Sequence, residues 1–307
     1  MNVPPTGAIR AISLVIGTCN RAETLRQALS HASACEIPAS TEVEIIVVDN
    51  NSTDGTREVI ETCARTSPIP MHYIFEPRQG VCWARNAGIA MARGDVISII
   101  DDDVIVDRRF FVSVKREYET RGWRGIVGGR VELWDPTDLP LTILTDRSER
   151  RLAPDQHPSG FLLGCNMSVH RDVFAAIGDF DRRLGPGTAA KAADELDLYY
   201  RAVRRGFEVV YCPDILAHHN HGRKTPEAGK ALTAGYQIAR GAFYAKHTLL
   251  GDRRVQRYVY WEIYGLIRAM LRSLPSGTKV RADWEIFANY VRGAASFIRT
   301  RRQVGPQ

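Results

Sequence analysis

Apolar runs alternate with amphipathic stretches between residues 10 and 120. The runs are rich in Val and Ile, as strands are, and the stretches between them have the apolar spacing or the capping residues of helices. The predicted strands are residues 11–17, 43–49, 71–76 and 95–100, and the predicted helices are residues 21–32, 52–64 and 80–92. Continuous apolar strands that alternate with helices are typical of a mostly parallel sheet flanked by helices, so the pattern predicts an α/β fold.

The pattern becomes mixed after residue 120 and wholly helical after residue 225. Strands are predicted at residues 125–133 and 209–219, and helices begin near residues 171 and 194. Residues 181–195, rich in Gly, Ala and Pro, are predicted to be mobile. We therefore expect an α/β domain over residues 1–225, with halves at about 10–120 and 121–225, and a C-terminal helical extension over residues 226–307. Breaks in that extension are expected near Gly251 and at Leu274-Pro275-Ser276-Gly277.

Charge is distributed unevenly along the chain. The 307 residues carry a net charge of +6, but from Lys230 onward there are 14 Lys and Arg against 4 Asp and Glu. The residues from Lys230 onward therefore have a net charge of +10 and the preceding residues −4, which indicates an acidic partner for the C-terminal region.

Composition excludes several protein classes. No apolar window is long enough for a membrane-spanning helix, and the N-terminus lacks the basic region and long apolar core of a secretory signal. Six scattered cysteines without a C-x-x-C pair argue against structural zinc and against a disulfide framework. A reduced, cytoplasmic protein is the simplest expectation.

Ligands of such sheets bind beyond the carboxyl ends of the strands, so the residues that follow each strand indicate the chemistry. Asp101, Asp102 and Asp103 follow the fourth strand. In an extended segment residues i and i+2 share a face, so Asp101 and Asp103 would form a hard, oxygen-rich site while Asp102 points away. Such a site suits Mg²⁺ or Mn²⁺ and the phosphates of a nucleotide, and the alternative is a solvated acidic turn.

Two further segments support a nucleotide site. Asp49 ends the second strand, where its carboxylate can accept a hydrogen bond from a base N–H, unless it only shapes the following turn. Arg78 and Arg85 could each neutralise a diphosphate, although a solvated surface position is the usual fate of a lone arginine.

Two polar clusters lie in the second half. Asp194, Glu195 and Asp197 begin a helix, where the helix dipole alone favours carboxylates; one of them could be a general base. In the stretch from His218 to His221, His218 is expected to contact a metal or phosphate, with the other histidines at the surface.

The order of these motifs resembles that of the family 2 glycosyltransferases. The segments are TCNRAETL, VVDNNSTDGT, GVCWARNAG, GDVISIIDDDV, GCNMSVHRDVFAAIGDFD, DELDLYYRAVRRGFEVVYCPD and HH, within residues 10–221. The resemblance implies a GT-A fold and metal-dependent, inverting transfer of a sugar from a nucleotide-diphosphate sugar, by default a UDP-sugar, to an acceptor hydroxyl. It makes residues 10–120 the nucleotide-binding half and residues 121–225 the acceptor half.

The resemblance also implies roles for individual residues. Thr18, Asn20 and Arg21 would lie in the loop that holds the nucleoside, with Asp49 on the base and Arg85 near the diphosphate. Asp101 and Asp103 would form the D-x-D motif, with His218 a further metal contact. Gly164, Cys165 and Asn166 would line the acceptor pocket, and Glu195, with Asp194 as the alternative, would be the catalytic base.

The chain departs from the family pattern at three places. Cys19 replaces a common aromatic residue, Arg78 a frequent asparagine, and Asp194-Glu195 reverses the usual Glu-Asp order. The reversal leaves open a non-catalytic nucleotide-sugar-binding protein. A sugar nucleotidyltransferase is the rival enzyme, but residues 17–25 are not a Gly-rich phosphate loop, and a dehydrogenase is disfavoured because no G-x-G-x-x-G follows the first strand.

The basic extension combines aromatic, aliphatic and arginine residues. Trp261, Tyr264, Ile267 and Leu271 fall on one helical face flanked by Arg268 and Arg272, a pattern that suits an anionic membrane surface. Packing on the catalytic domain or pairing in a homodimer is the alternative. A membrane-bound enzyme at the inner face of the plasma membrane would suit a lipid-linked saccharide acceptor in polysaccharide or glycolipid synthesis. Nucleic acid is not an expected partner, because the tail carries no recognised binding motif.

Overall fold

The computed structural model of the chain describes residues 7–122, 124–273 and 277–304. These residues form two compact units. The first comprises the chain up to Phe180 together with Leu198–Lys224, and the second comprises Asp181–Asp197 and the chain from Thr225 onward. The segment Asp181–Asp197, which the sequence places in the α/β domain, thus belongs with the C-terminal helices.

The first unit is built on one mixed sheet. Its strands are β1 (Ala11–Thr18), β2 (Glu42–Asp49), β3 (Met71–Phe75), β4 (Val96–Asp101), β5 (Val104–Val106), β6 (Gly125–Leu133), β7 (Arg150–Arg151), β8 (Asn166–His170) and β9 (Glu208–His219). The order is β3-β2-β1-β4-β8-β6-β9-β5, and β7 pairs with β9. From β3 to β4 the strands are parallel, as predicted, whereas β8 runs antiparallel to both β4 and β6.

Helices cover both faces of this sheet. They are α1 (Ala22–Ser33), α2 (Thr56–Thr66), α3 (Val81–Met91), α4 (Phe110–Arg121), α5 (Arg171–Ile177) and α6 (Asp194–Arg204). Side chains alternate along β1, so that Leu14 packs in one core with Leu25 of α1, and Val15 in the other with Ile89 of α3. Because both faces of the sheet are covered, side chains on either face of a strand are buried, and each strand is therefore apolar along its length.

The second predicted helix begins later than its pattern suggested, at Thr56. The residues before it form a turn: Ser52 N–H donates to Asp49 Oδ1 at 2.9 Å, and the carboxylate of Asp54 accepts from Thr56 N–H at 3.1 Å. Side chains of this kind compete with the helix for its backbone groups, so the helix starts after them.

The second unit contains three long helices, α7 (Pro226–Leu249), α8 (Arg253–Ser273) and α9 (Gly277–Val304). The break near Gly251 is confirmed, with Gly251 at φ +76°. The break at 274–276 falls outside the described residues. None of the described helices is long and apolar enough to span a bilayer.

Candidate active site

Polar residues meet at the carboxyl edge of the parallel strands. In the sheet register Thr18 lies beside Asp49, and Gly17 lies beside Asp101. The ends of β1, β2 and β4 therefore bring their terminal side chains to one edge. This is the arrangement that the strand-end argument predicted from the sequence.

The aspartate stretch is a turn and not a continuous strand. β4 ends at Asp101, Asp102 and Asp103 form a turn, and β5 starts at Val104. The assumption of an extended segment was therefore wrong. The chain turns here because β5 pairs with β9 and not with the neighbours of β4.

Arg21 joins two of the three carboxylates. Its Nη1 donates to Asp102 Oδ1 at 2.8 Å, and its Nη2 donates to Asp103 Oδ2 at 2.9 Å. Thr18 Oγ1 donates to the other oxygen of Asp102 at 2.7 Å. Asp102 and Asp103 are both buried, and Asp102 is held by protein groups on both oxygens.

Burial and neighbouring charges give these two carboxyls different proton affinities. Burial raises the pKa of Asp102 to about 6, although Arg21 and Thr18 oppose the rise. Burial acts in the same direction on Asp103, but His219 and Arg21 outweigh it and hold its pKa at about 2. Asp103 is thus the carboxylate that stays ionised most firmly.

His219 is the neighbour that the sequence analysis missed. Its Nε2 lies 3.3 Å from Asp103 Oδ1, and its Nδ1 lies 3.0 Å from Thr142 Oγ1. Burial lowers the pKa of His219, but Asp103, the Thr142 carbonyl group and Asp101 together raise it by more. His218 lies elsewhere, with Nε2 4.0 Å from Glu132 Oε2 and its ring 6.0 Å from that of Trp134.

The expected surface position of the other two histidines was wrong, since His219 and His221 are both buried. Alternation along β9 was the available signal: His219 lies two residues from the buried Ala217, on the same face of the strand.

The carboxylate oxygens of the Asp101–Asp103 turn are suitable ligands for a divalent cation. Asp103 Oδ1 is buried, and no described donor is aligned for a hydrogen bond to it. Asp101 keeps 37% of its side chain exposed. Among the described residues no cluster of three or more protein ligands is assembled. Two carboxylates with hard oxygens are the set through which Mg²⁺ or Mn²⁺ binds together with substrate phosphates.

Arg85 is buried next to the turn. Its Nη2 donates to Asp101 Oδ1 at 2.8 Å and lies 3.4 Å from the carbonyl oxygen of Gly164. Cys165, beside Gly164, is buried, and burial together with Asp101 and Asp103 raises its thiol pKa. Arg78, by contrast, is exposed, forms an ion pair with Glu76 at 2.7 Å and covers the ring of Trp83.

The remaining predicted residues of this unit have partners inside the protein. Asp49 accepts from Tyr73 Oη at 3.1 Å as well as from Ser52. Asn20 has φ +54° and accepts from Thr53 N–H at 2.7 Å. Asn166 Nδ2 donates to the carbonyl oxygens of Arg130 and Ile215, each at 3.1 Å, and so ties β8 to β6 and β9.

The predicted catalytic pair belongs to the second unit. Asp194 and Glu195 begin α6 directly after Ala193, which has φ +76°. A non-glycine residue in this region is strained, and such residues are frequent at functional sites. Asp194 is 1% exposed, whereas Glu195 keeps an intermediate exposure, so of the two Glu195 is the more accessible.

The fold of the chain is similar to that of solved sugar transferases. The mannosyltransferase PcManGT from Pyrobaculum calidifontis, solved in complex with GDP-Man and Mn²⁺, superposes with a TM-score of 0.61 over 97% of this chain and 89% of its own, at 17% sequence identity. The chain therefore has the GT-A fold, which carries the carboxylate edge described above.

Sequence comparison gives the family. The pattern of Glycosyl transferase family 2 matches residues 13–178, more than half of the chain, and the chain belongs to this family. The glycosyltransferase AglE of Haloferax volcanii is 23% identical over 266 residues, which cover 85% of this chain and 83% of AglE. The succinoglycan biosynthesis protein ExoM of Rhizobium meliloti is 22% identical over 207 residues, which cover 66% of this chain and 65% of ExoM.

Proposed function

We propose that this glycosyltransferase transfers a sugar from a nucleotide-diphosphate sugar, by default a UDP-sugar, to an acceptor hydroxyl with inversion at the anomeric carbon. The observation that carries the proposal is the turn Asp101–Asp103 with its surrounding Arg21, Arg85 and His219. It gathers fixed positive groups and carboxylate oxygens at the strand edge where nucleotides bind. The GDP-Man and Mn²⁺ bound to PcManGT support both the donor class and the metal.

Asp101 and Asp103 are the residues that would hold Mn²⁺ or Mg²⁺. When bound, the metal offsets the negative charge that develops on the departing nucleoside diphosphate. Arg85, buried and held by Asp101, presents a fixed positive charge at the same edge. Asp102 orients Arg21 and Thr18, and Asp49 is proposed to accept a hydrogen bond from the base.

Glu195 is proposed as the base that removes the proton of the acceptor hydroxyl, with Asp194 as the alternative. Its partial exposure supports this choice over the buried Asp194. The oxygen of the acceptor then attacks the anomeric carbon on the face opposite the leaving diphosphate, which inverts the configuration. Gly164, Cys165 and Asn166 are proposed to border the acceptor. A saccharide acceptor is supported by the similarity to the succinoglycan biosynthesis protein ExoM, and a lipid-linked saccharide is the alternative that we propose.

The test is a panel of UDP-, GDP- and dTDP-sugars scanned by thermal shift with and without Mn²⁺. A donor that binds only with metal stabilises the protein according to its concentration relative to Kd, about 2.7 kcal/mol at 100 times Kd. The donor found is then used in a transfer assay, and NMR of the product reads its anomeric configuration. Stabilisation by no donor, or a product with retained configuration, would contradict the proposal.

A further inference from the structure

The outer face of α8 is apolar, aromatic and basic. Five of its large side chains are between 47% and 63% exposed: Tyr260, Trp261, Tyr264, Ile267 and Leu271. Four exposed arginines accompany them, Arg253, Arg257, Arg268 and Arg272, and none forms an ion pair with another described residue. We call these nine residues the α8 face.

Acidic charge is directed away from this face. Glu262 is the one acidic residue of α8 within its described range, and it points inward. Its carboxylate accepts from Tyr290 Oη at 2.7 Å, from Tyr244 Oη at 2.8 Å and from Arg240 Nη1 at 2.9 Å. The sequence of the helix therefore separates its charges, with arginine outside and the carboxylate neutralised inside.

We propose that the α8 face binds a bilayer surface that contains anionic lipids, with the helix lying in the plane of the interface. Charge complementarity favours this partner, because the α8 face carries arginines and no acidic residue, and anionic lipids attract such a surface. Its exposed aromatic rings add to this, since aromatic side chains prefer the headgroup level of a bilayer. Arginine can keep its head at phosphate level while its stem covers apolar surface. The helix is roughly 30 Å long, enough to present all nine residues to one surface.

Flotation of the full-length protein with vesicles tests the proposal. We expect it to float with vesicles of phosphatidylcholine and phosphatidylglycerol, and to float poorly with phosphatidylcholine alone. Arg268→Gln together with Arg272→Gln should weaken binding by about 10-fold or more. Trp261→Ser with Ile267→Ser should weaken it comparably, because the apolar contribution is lost.

Ile37→Ser is the matched control, because Ile37 is 49% exposed and belongs to the first unit. This variant should float as the wild type does. The proposal is overturned if the wild type does not float with anionic vesicles, or if the α8 variants float unchanged. It is also overturned if sedimentation shows a dimer that these substitutions dissociate and flotation is absent, since the face would then bind a second copy.

A second observation concerns a buried charge network within the second unit. Lys246 Nζ on α7 lies 2.8 Å from Asp181 Oδ2 and 2.7 Å from Asp197 Oδ1. Asp181 also accepts from Arg183 Nε at 2.8 Å and Nη2 at 2.6 Å, and Asp197 lies 2.9 Å from His247 Nε2. All of these side chains are at most 10% exposed.

The two aspartates are the first and last residues of the segment Asp181–Asp197. One lysine therefore fastens both ends of the segment to α7. Between them Leu184 and Ala190 are buried in a core with Ala242 of α7, so part of the segment that was predicted to be mobile packs against this helix. Two carboxylates, one lysine and one arginine also balance one another in charge beside His247.

We infer that Lys246 is a positioning residue that fixes the first turn of α6, and with it Glu195. This inference rests on the proposed role of Glu195 as the base. Lys246 does not have to touch substrate; it acts through Asp197, which lies two residues beyond Glu195. A small displacement of a catalytic group can cost about 100-fold in rate.

Lys246→Met alone removes the charged partner that two buried carboxylates share, leaving Arg183 on Asp181, and can prevent folding. The informative variant is therefore Lys246→Met with Asp197→Asn, which removes one charge of each sign. We expect it to fold and to keep the donor-dependent thermal shift and the donor KM, while kcat falls by about 100-fold. Lys246→Arg alone, which keeps the positive charge beside Asp181 and Asp197, should retain a large part of the wild-type kcat.

The kcat values of two variants distinguish the positioning role of Lys246 from the proposed role of Glu195. Wild-type kcat in the folded double variant would overturn the positioning role and leave the function standing. Wild-type kcat in Glu195→Gln would overturn the assignment of the base itself.

Discussion

At the scale of single residues, the three adjacent aspartates have distinct environments. Asp101 is partly exposed beside Arg85, Asp102 is held on both oxygens, and Asp103 has one buried oxygen without an aligned donor. Three aspartates that are identical in sequence therefore differ in exposure and in hydrogen-bond partners at the strand edge.

Asp103→Asn should lower kcat/KM on the order of 1,000-fold, because it removes a charge proposed to hold the metal at the departing diphosphate. Asp102→Asn should lower kcat/KM by about 10-fold, since it weakens only the hydrogen bonds by which Asp102 orients Arg21 and Thr18. Steady-state kinetics with the donor from the thermal-shift panel measures both. Equal losses would show that the two carboxylates do not differ in role.

His219→Asn should weaken Mn²⁺ binding by about 10-fold to 100-fold, because the ring contacts Asp103 and fixes it from behind. His218→Asn is the matched control and should change the affinity by less than about 2-fold. Titration of Mn²⁺ followed by electron paramagnetic resonance measures the free ion directly. A larger loss at His218 would restore that residue as the metal contact expected from the sequence.

At the scale of elements, two glycines let α7 and α9 approach closely. A Cβ at Gly241 would collide with the carbonyl oxygen of Tyr290, and one at Gly293 would collide with that of Ile238. Both obstacles are backbone atoms, which cannot move aside as a flexible side chain can. The crossing of these helices therefore depends on residues without a side chain.

Gly293→Ala should destabilise the protein by about 1–3 kcal/mol, because the helices must separate or bend to admit the methyl group. Gly265→Ala, in a position on α8 with no described atom within 4 Å of the new Cβ, should instead stabilise it by up to about 1 kcal/mol. Urea unfolding followed by circular dichroism compares the two. Stabilisation by both substitutions would refute the close packing of α7 on α9.

At the scale of the whole molecule, the six cysteines are free and differ in accessibility. Cys35, Cys82, Cys165 and Cys212 are buried, whereas Cys19 and Cys63 are intermediate. Burial raises the pKa of the Cys35 and Cys212 thiols to about 12. Because the thiolate is the reactive species, both thiols are unreactive for two reasons: reagents cannot reach them, and the raised pKa keeps them protonated.

Titration of the native protein with a thiol reagent at about pH 8 should therefore modify Cys19 and Cys63 first, with the four buried thiols reacting far more slowly. After unfolding in guanidinium chloride all six should react. Mass spectrometry of the modified peptides identifies the sites. Rapid reaction of the buried four in the folded protein would contradict the packing described for both cores.

The sequence by itself determined the parallel half of the sheet, its helices and the polar strand ends. These features depend on local periodicity and on the rule that parallel strands end at one edge, and both can be read from short segments. The order of motifs added the family, because spacing along the chain is also a property of sequence.

Only the tertiary structure decided which partners the aspartates have. Arg21 reaches Asp102 and Asp103 across 81 and 82 residues of sequence, and His219 meets Asp103 through the pairing of β5 with β9. No local pattern specifies such contacts, because they result from how strands are ordered in the sheet. The same holds for Lys246, whose two carboxylate partners lie far from it in the chain and meet only when the helices have packed.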